Sequence, residues 1–110
     1  MEDITIKLSP YEIDKCLKEV STRLQRILYV YEQSLDNKNY NYKSYVYSVI
    51  LYISSLNALC EYDLTNIIVN LNALYINKDL DKKMIKKIVM ESKHIVADIK
   101  KKWSDYIGQD

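Results

Sequence analysis

Between Lys43 and Glu61 the chain carries no charged residue, and this run of 17 positions constrains the fold more than any other feature. Tyr42, Val46, Val49, Ile53, Leu56 and Cys60 recur at spacings of four and three, which place one apolar stripe along a helix. Tyr45, Tyr52 and Leu59 widen that stripe on its flank. A helix apolar around so much of its circumference needs neighbours on more than one side. It is therefore expected from about 41 to 61 as the central helix of a bundle, or with part of its surface covered by a partner. A membrane span would also explain an uncharged run. This one falls short of the ~20 apolar residues that cross a bilayer, and it includes four Ser and an Asn, so no span is expected.

The rest of the chain supplies the neighbours. One Gly and one Pro in 110 residues leave too few positive-φ turns for an all-β or doubly wound chain. Ser9, Pro10 and Glu12 form the signature of a capping box with proline at the first helical position. From there Ile13, Leu17, Val20, Leu24, Ile27 and Tyr31 repeat the four-three spacing, with Leu28 and Leu35 beside them, until the polar cluster Asp36-Asn37-Lys38-Asn39. The spacing predicts a helix over 10–36, about 40 Å long at ~1.5 Å per residue. A third helix over 64–76 carries Leu64, Ile67, Ile68, Leu71, Leu74 and Tyr75, with Asp63 as its expected cap and Asn66, Asn70 and Asn72 on the other face. Asn77-Lys78 breaks it. Asp79 is then expected to cap a last helix over 80–107, which presents Met84 or Ile85, Ile88, Ile95 or Val96, Ile99, Trp103 and Tyr106 and stops at Gly108.

Residues 1–8 alternate, with Ile4, Ile6 and Leu8 on one side, as in a short extended segment laid across one end of a bundle. Short connections between the helices force antiparallel neighbours. The expected fold is therefore all-α: one domain over 1–110, an antiparallel four-helix bundle with a short N-terminal extended segment. Ile27, Val49, Ile53, Leu56, Leu71 and Ile99 should be among its most buried residues.

The chemistry-bearing residues do not assemble into a site. His94 is the lone histidine, with no cysteine or second histidine at metal spacing, and a single Gly at 108 leaves no phosphate-binding loop. Glu12, Asp14 and Glu19 are explained by capping and by the helix dipole. No enzyme activity, cofactor or metal is expected. Cys16 and Cys60 fall on helical stripes and read as small apolar residues of a reduced protein. The start, Met-Glu-Asp-Ile-Thr, lacks the basic and apolar regions of a signal peptide, which makes the cytoplasm the expected location. Net charge is +1, but residues 78–102 carry nine Lys against four acids, and Lys82, Lys83, Lys86 and Lys87 share one side of the last helix. That face could meet phosphate. Without arginine it lacks the residue that reads bases and stacks on them, so nucleic-acid binding stands behind protein binding.

Protein binding has a physical basis in the apolar excess of residues 42–60 over what a short third helix can cover. Tyr45, Tyr52 and Leu59 are the expected lining of an open groove, with Tyr29 and Tyr31 across it, because rigid tyrosines offer large contact area at low entropy cost. The order of features resembles the flagellin export chaperone (FliS) family, small helical bundles that clamp the C-terminal segment of flagellin. The resemblance rests on Ser9-Pro10-Tyr11-Glu12-Ile13, the turn at Asp36, Val49-Ile50 with Ile53, Asn70-Leu71-Asn72-Ala73-Leu74-Tyr75 and the closing Trp103. It implies a chaperone that covers an amphipathic segment of a partner. Size and helical pattern are also similar to those of bacteriocin immunity proteins, cytoplasmic four-helix bundles that protect a producer cell, and these give the rival expectation of an immunity or inhibitor protein.

Overall fold

The computed structural model describes the backbone of residues 9–59 and 63–107, and the side chains of that span except those of Pro10 and residues 103–107. Expectations for Ile4, Ile6, Leu8, Cys60 and Gly108, and for the side chains of Trp103 and Tyr106, lie outside the described residues. The described residues form four helices: α1 (Pro10–Asp36), α2 (Tyr42–Leu59), α3 (Thr65–Ile76) and α4 (Lys82–Ile107).

Local chemistry sets each boundary. At the start of α1, the Glu12 backbone N–H donates to Ser9 Oγ at 3.3 Å and the Ser9 N–H donates to Glu12 Oε1 at 3.1 Å, the reciprocal pair of a capping box. Those bonds to Ser9 hold the Glu12 carboxyl below its usual pKa. Asn41 Oδ1 accepts from Ser44 N–H at 3.0 Å and caps α2. The expected caps of the last two helices are each displaced. Asp63 Oδ1 accepts from Thr65 N–H at 2.9 Å, which bends the chain into α3, but the N-cap itself is Leu64 and makes no side-chain cap bond. The cap of α4 is Asp81, not Asp79: its Oδ1 accepts from Met84 N–H at 2.8 Å, while the Asp79 N–H donates back to Asn77 Oδ1 and closes the preceding turn.

The helices form a ring in which each packs on two neighbours: α1 on α2 and α4, α3 on α2 and α4, with no diagonal contact among the described residues. Pairing runs antiparallel, since Tyr31 meets Tyr42 while Arg23 meets Tyr45 and Tyr52, and Glu32 meets Lys82 while Gln25 meets Lys93. The six residues expected at the centre, Ile27, Val49, Ile53, Leu56, Leu71 and Ile99, are all buried. One core joins them to Leu17, Leu24, Leu64, Ile67, Leu74 and Ile85.

The expectation of a central helix is corrected. Among the described residues the α2 backbone lies beside α1 and α3 alone, as each helix lies beside two others, and its buried stripe of Val46, Val49, Ile50, Ile53 and Leu56 is widened only by the adjacent pair Val49 and Ile50. Its uncharged character comes from the outer side, where Ser44, Ser48, Ser54 and Ser55 stand in for charges.

α3 is held from outside itself. Lys43 on α2 reaches its C-terminus, where Nζ donates to the backbone carbonyls of Leu74, Tyr75 and Asn77 at 2.8, 2.7 and 2.8 Å. These include carbonyls that a helix end leaves without partners, and they carry the negative end of the helix dipole. Burial, and then the nearby Lys78 charge, hold the Lys43 pKa below the ordinary lysine value. At the other end Asn57 Oδ1 accepts from Leu64 N–H at 2.8 Å. In the middle the Asn70 side-chain amide donates to Ser92 Oγ at 3.3 Å, and the buried Ser92 hydroxyl donates to Ile88 O at 2.9 Å. Replacing Lys43 by Met keeps the stem and removes the ammonium. Urea denaturation should show a loss of about 1–3 kcal/mol, the scale of a charged donor leaving its acceptors unpaired, with amide exchange rising most in the last turn of α3. An unchanged midpoint would contradict the assigned role.

Candidate partner-binding surface

The five residues expected to line a groove separate into two environments. Tyr45 and Tyr52 face α1: the Tyr45 hydroxyl donates to Arg23 O at 3.2 Å, and the Arg23 guanidinium lies 4.2 Å above the Tyr52 ring centroid while its Nε bonds Glu19 at 3.0 Å. Both rings are half-buried against the core, and burial raises both phenol pKa values. Cys16 packs beside Tyr52 in a hollow of about 460 Å³ that also takes in Tyr11 and Glu12. Leu59, 41% exposed, continues this line toward the end of α2. Tyr31 and Tyr29 find other partners, in edge-to-face contact with Tyr42 at 5.3 Å and Tyr40 at 6.2 Å, at the opposite end of α1. α1 thus packs along Tyr45 and Tyr52, which serve the α1–α2 seam, and leaves beside Tyr52 the hollow it shares with Cys16 and Tyr11.

The exposed apolar surface lies on the other flank of α2. Tyr47, Leu51, Ser54 and Ala58 share the exposed outer face of α2, and Thr65, Val69, Asn72 and Ile76 share that of α3. The Tyr47 and Tyr75 rings meet across the seam at 5.6 Å. Leu51, Val69 and Ile76 are 50, 58 and 73% exposed. Among the described residues the middle of this face carries no formal charge, and at its edge the Lys43 ammonium lies 6.0 Å from the Tyr75 ring centroid. α1 carries nine charged residues and α4 eleven, whereas α2 carries Lys43 alone, folded onto the end of α3, and α3 carries none.

The opposite side of the ring carries most of the helix-borne charge. Between α1 and α4 an open hollow of about 740 Å³ is lined by Thr22, Gln25, Arg26, Tyr29, Glu32 and Lys93, among others. Lys82 pairs with Glu32 at 2.7 Å and Lys93 donates to Gln25 at 2.6 Å, so part of the lysine face ties α4 to α1. His94 is exposed on the outer side of α4. Among the described residues no group of His, Cys, Asp and Glu is placed to hold a metal ion, and no helix is long and apolar enough to cross a membrane. No protein-family model, curated protein or solved structure matches the chain.

The sequence signal for the α2–α3 face was the absence of charge in both helices together. The core stripe of α2 taken alone points instead to the flank that α1 packs against. Tyr42, between the two environments, has a buried hydroxyl with no hydrogen-bond partner among the described residues, and burial, with a smaller contribution from Tyr31, pushes its pKa from 10.0 up to about 12. The fold favours the neutral phenol, so this contribution to stability is complete below pH 10 and is lost as pH rises through about 12. The Tyr42→Phe variant should be at least as stable as wild type at neutral pH, because it removes an unpaired buried hydroxyl. It should also lose less stability between pH 10 and 12, and a lower urea midpoint at neutral pH would show that the hydroxyl is bonded.

Proposed function

We propose that this protein is a non-enzymatic helical binding module that covers an amphipathic helix of another protein, in the manner of an export chaperone, with the outer face of α2 and α3 as its docking surface. The observation that carries the reading is the face, uncharged through its middle, that bears Tyr47, Leu51, Val69, Tyr75 and Ile76 on a chain otherwise rich in charge. Two adjacent antiparallel helices leave a groove that a third helix can enter by the packing that holds any bundle together. The uncharged middle of the groove selects an uncharged stripe, since a partner charge buried there would find no counter-ion, the nearest cation being Lys43 at the Tyr75 end. The residues proposed to make contact are therefore Tyr47, Leu51, Val69, Tyr75 and Ile76, and Leu59, on the α1-side flank, is not among them. The resemblance to flagellin export chaperones supports a client that is itself exported.

The test is recovery of the partner from native cells, followed by binding of its amphipathic segment as a synthetic peptide. Wild type should bind that peptide, and Leu51→Glu should weaken it about tenfold or more, ~1.4 kcal/mol or above, while circular dichroism remains helical. A partner bound equally well by the folded variant would exclude this face. If the partner proves to be a toxin whose activity the protein blocks, the role is that of an immunity protein using the same surface.

A further inference from the structure

The α2–α3 face is graded along its length. Its large side chains, Tyr47, Tyr75 and Ile76, gather where α2 begins and α3 ends, and its small ones, Ser54, Ala58 and Thr65, gather at the other end, with Leu51 and Val69 between them. A two-fold axis that lies in the plane of this face and crosses both helices at its middle sets each large end over the small end of the other copy. Self-complementarity of this kind is what an isologous dimer requires.

We infer that, without its client, the protein pairs with a second copy through this face, in a two-fold dimer that must part before a client helix can dock. The mutual exclusion rests on the function proposed above; the pairing itself does not. Charge selects the second copy as occupant. Docking α1 or α4 of another copy would bury charged side chains against the uncharged middle of this surface, whereas the α2–α3 face brings to its own kind only an edge charge, Lys43, which is already bound by the α3 carbonyls. Area suits a weak, concentration-dependent pair. The face is about 27 Å long along α2 and about 18 Å along α3, each helix about 10 Å wide, roughly 450 Å² in projection. That is below the ~800 Å² per partner of a standard interface and in the range of weak, transient pairs.

Sedimentation velocity on the full chain, across a series of protein concentrations, tests the pairing. Wild type should sediment at twice the 13.0 kDa chain mass at the upper concentrations. Leu51→Glu, at the axis, and Ala58→Arg, at the small end, should sediment at the single mass with an unchanged helical spectrum. Ala58 is exposed and carries the test if Leu51→Glu fails to fold. Met90→Glu, on α4, should leave the doubled mass intact. Wild type at the single mass throughout, or a doubled mass that survives both interface variants, would overturn the dimer. The two readings fail separately. A monomeric wild type whose client peptide is lost with Leu51→Glu leaves the proposed function standing without the dimer. A dimer dispersed by both variants, in a protein that takes no client peptide, leaves the dimer standing without the function.

Discussion

α3 has 12 residues, no charge and no side-chain cap bond at its start, and a helix of that length is marginal by itself in water. Its stability has to come from what surrounds it. Ile67, Leu71 and Leu74 supply one side by inserting into the common core, and Lys43, Asn57 and Ser92 supply the polar ties at its end, beginning and middle. The long helices depend on it in turn. Without α3 the ring would be open between α2 and α4, and the buried faces of Ile53, Val89 and Val96 would lose a wall. The uncharged composition of α2 and α3 is thus compatible with folding only because the two lie side by side, joined at both ends.

That arrangement divides the molecule into two sides. α1 and α4 take nearly all the helix-borne charge, tie their surfaces together through Glu32–Lys82 and Gln25–Lys93, and face water as ordinary amphipathic helices do. α2 and α3 bury one stripe and present tyrosine, leucine, valine and isoleucine among serine and asparagine on the other. Scattered apolar residues on a surface need no explanation, but an uncharged face two helices wide is the kind of surface that proteins use to meet one another. A client helix and a second copy of the chain are both physically suited to it, because neither brings a charge that the face would leave unpaired.

Much of the fold was legible because each helix keeps its apolar spacing in register with a cap. Ser9–Glu12 fixed the start of α1, and the polar cluster after Asp36 fixed its end. The caps of α3 and α4 were less legible: Asp63, Asp79 and Asp81 are all competent acceptors, and which one aligns with the first turn depends on where tertiary packing begins the helix. Lys43 read as the last charge before an apolar run, because a lysine reaching across to carbonyls thirty residues away leaves no local pattern. The surface was legible in kind but not in place. Tyr45 and Tyr52 lie as close to the core stripe of α2 as any open-groove residue would. Only the side on which α1 packs decides that they are covered and that Tyr47 and Leu51 are not.

Three tyrosines allow a direct measurement of whether the α2–α3 face is covered. Tyr47, Tyr75 and Tyr29 have nearly equal exposure in the single chain, 48, 42 and 46%, but the first two lie on the uncharged face and the third on α1. Hydroxyl-radical footprinting of the protein in its native cell extract, read residue by residue by mass spectrometry, compares them internally. If the face is a binding surface, oxidation of Tyr47 and Tyr75 falls well below that of Tyr29, and rises to match it once the protein is purified and diluted. Equal oxidation of all three in the extract would contradict the account.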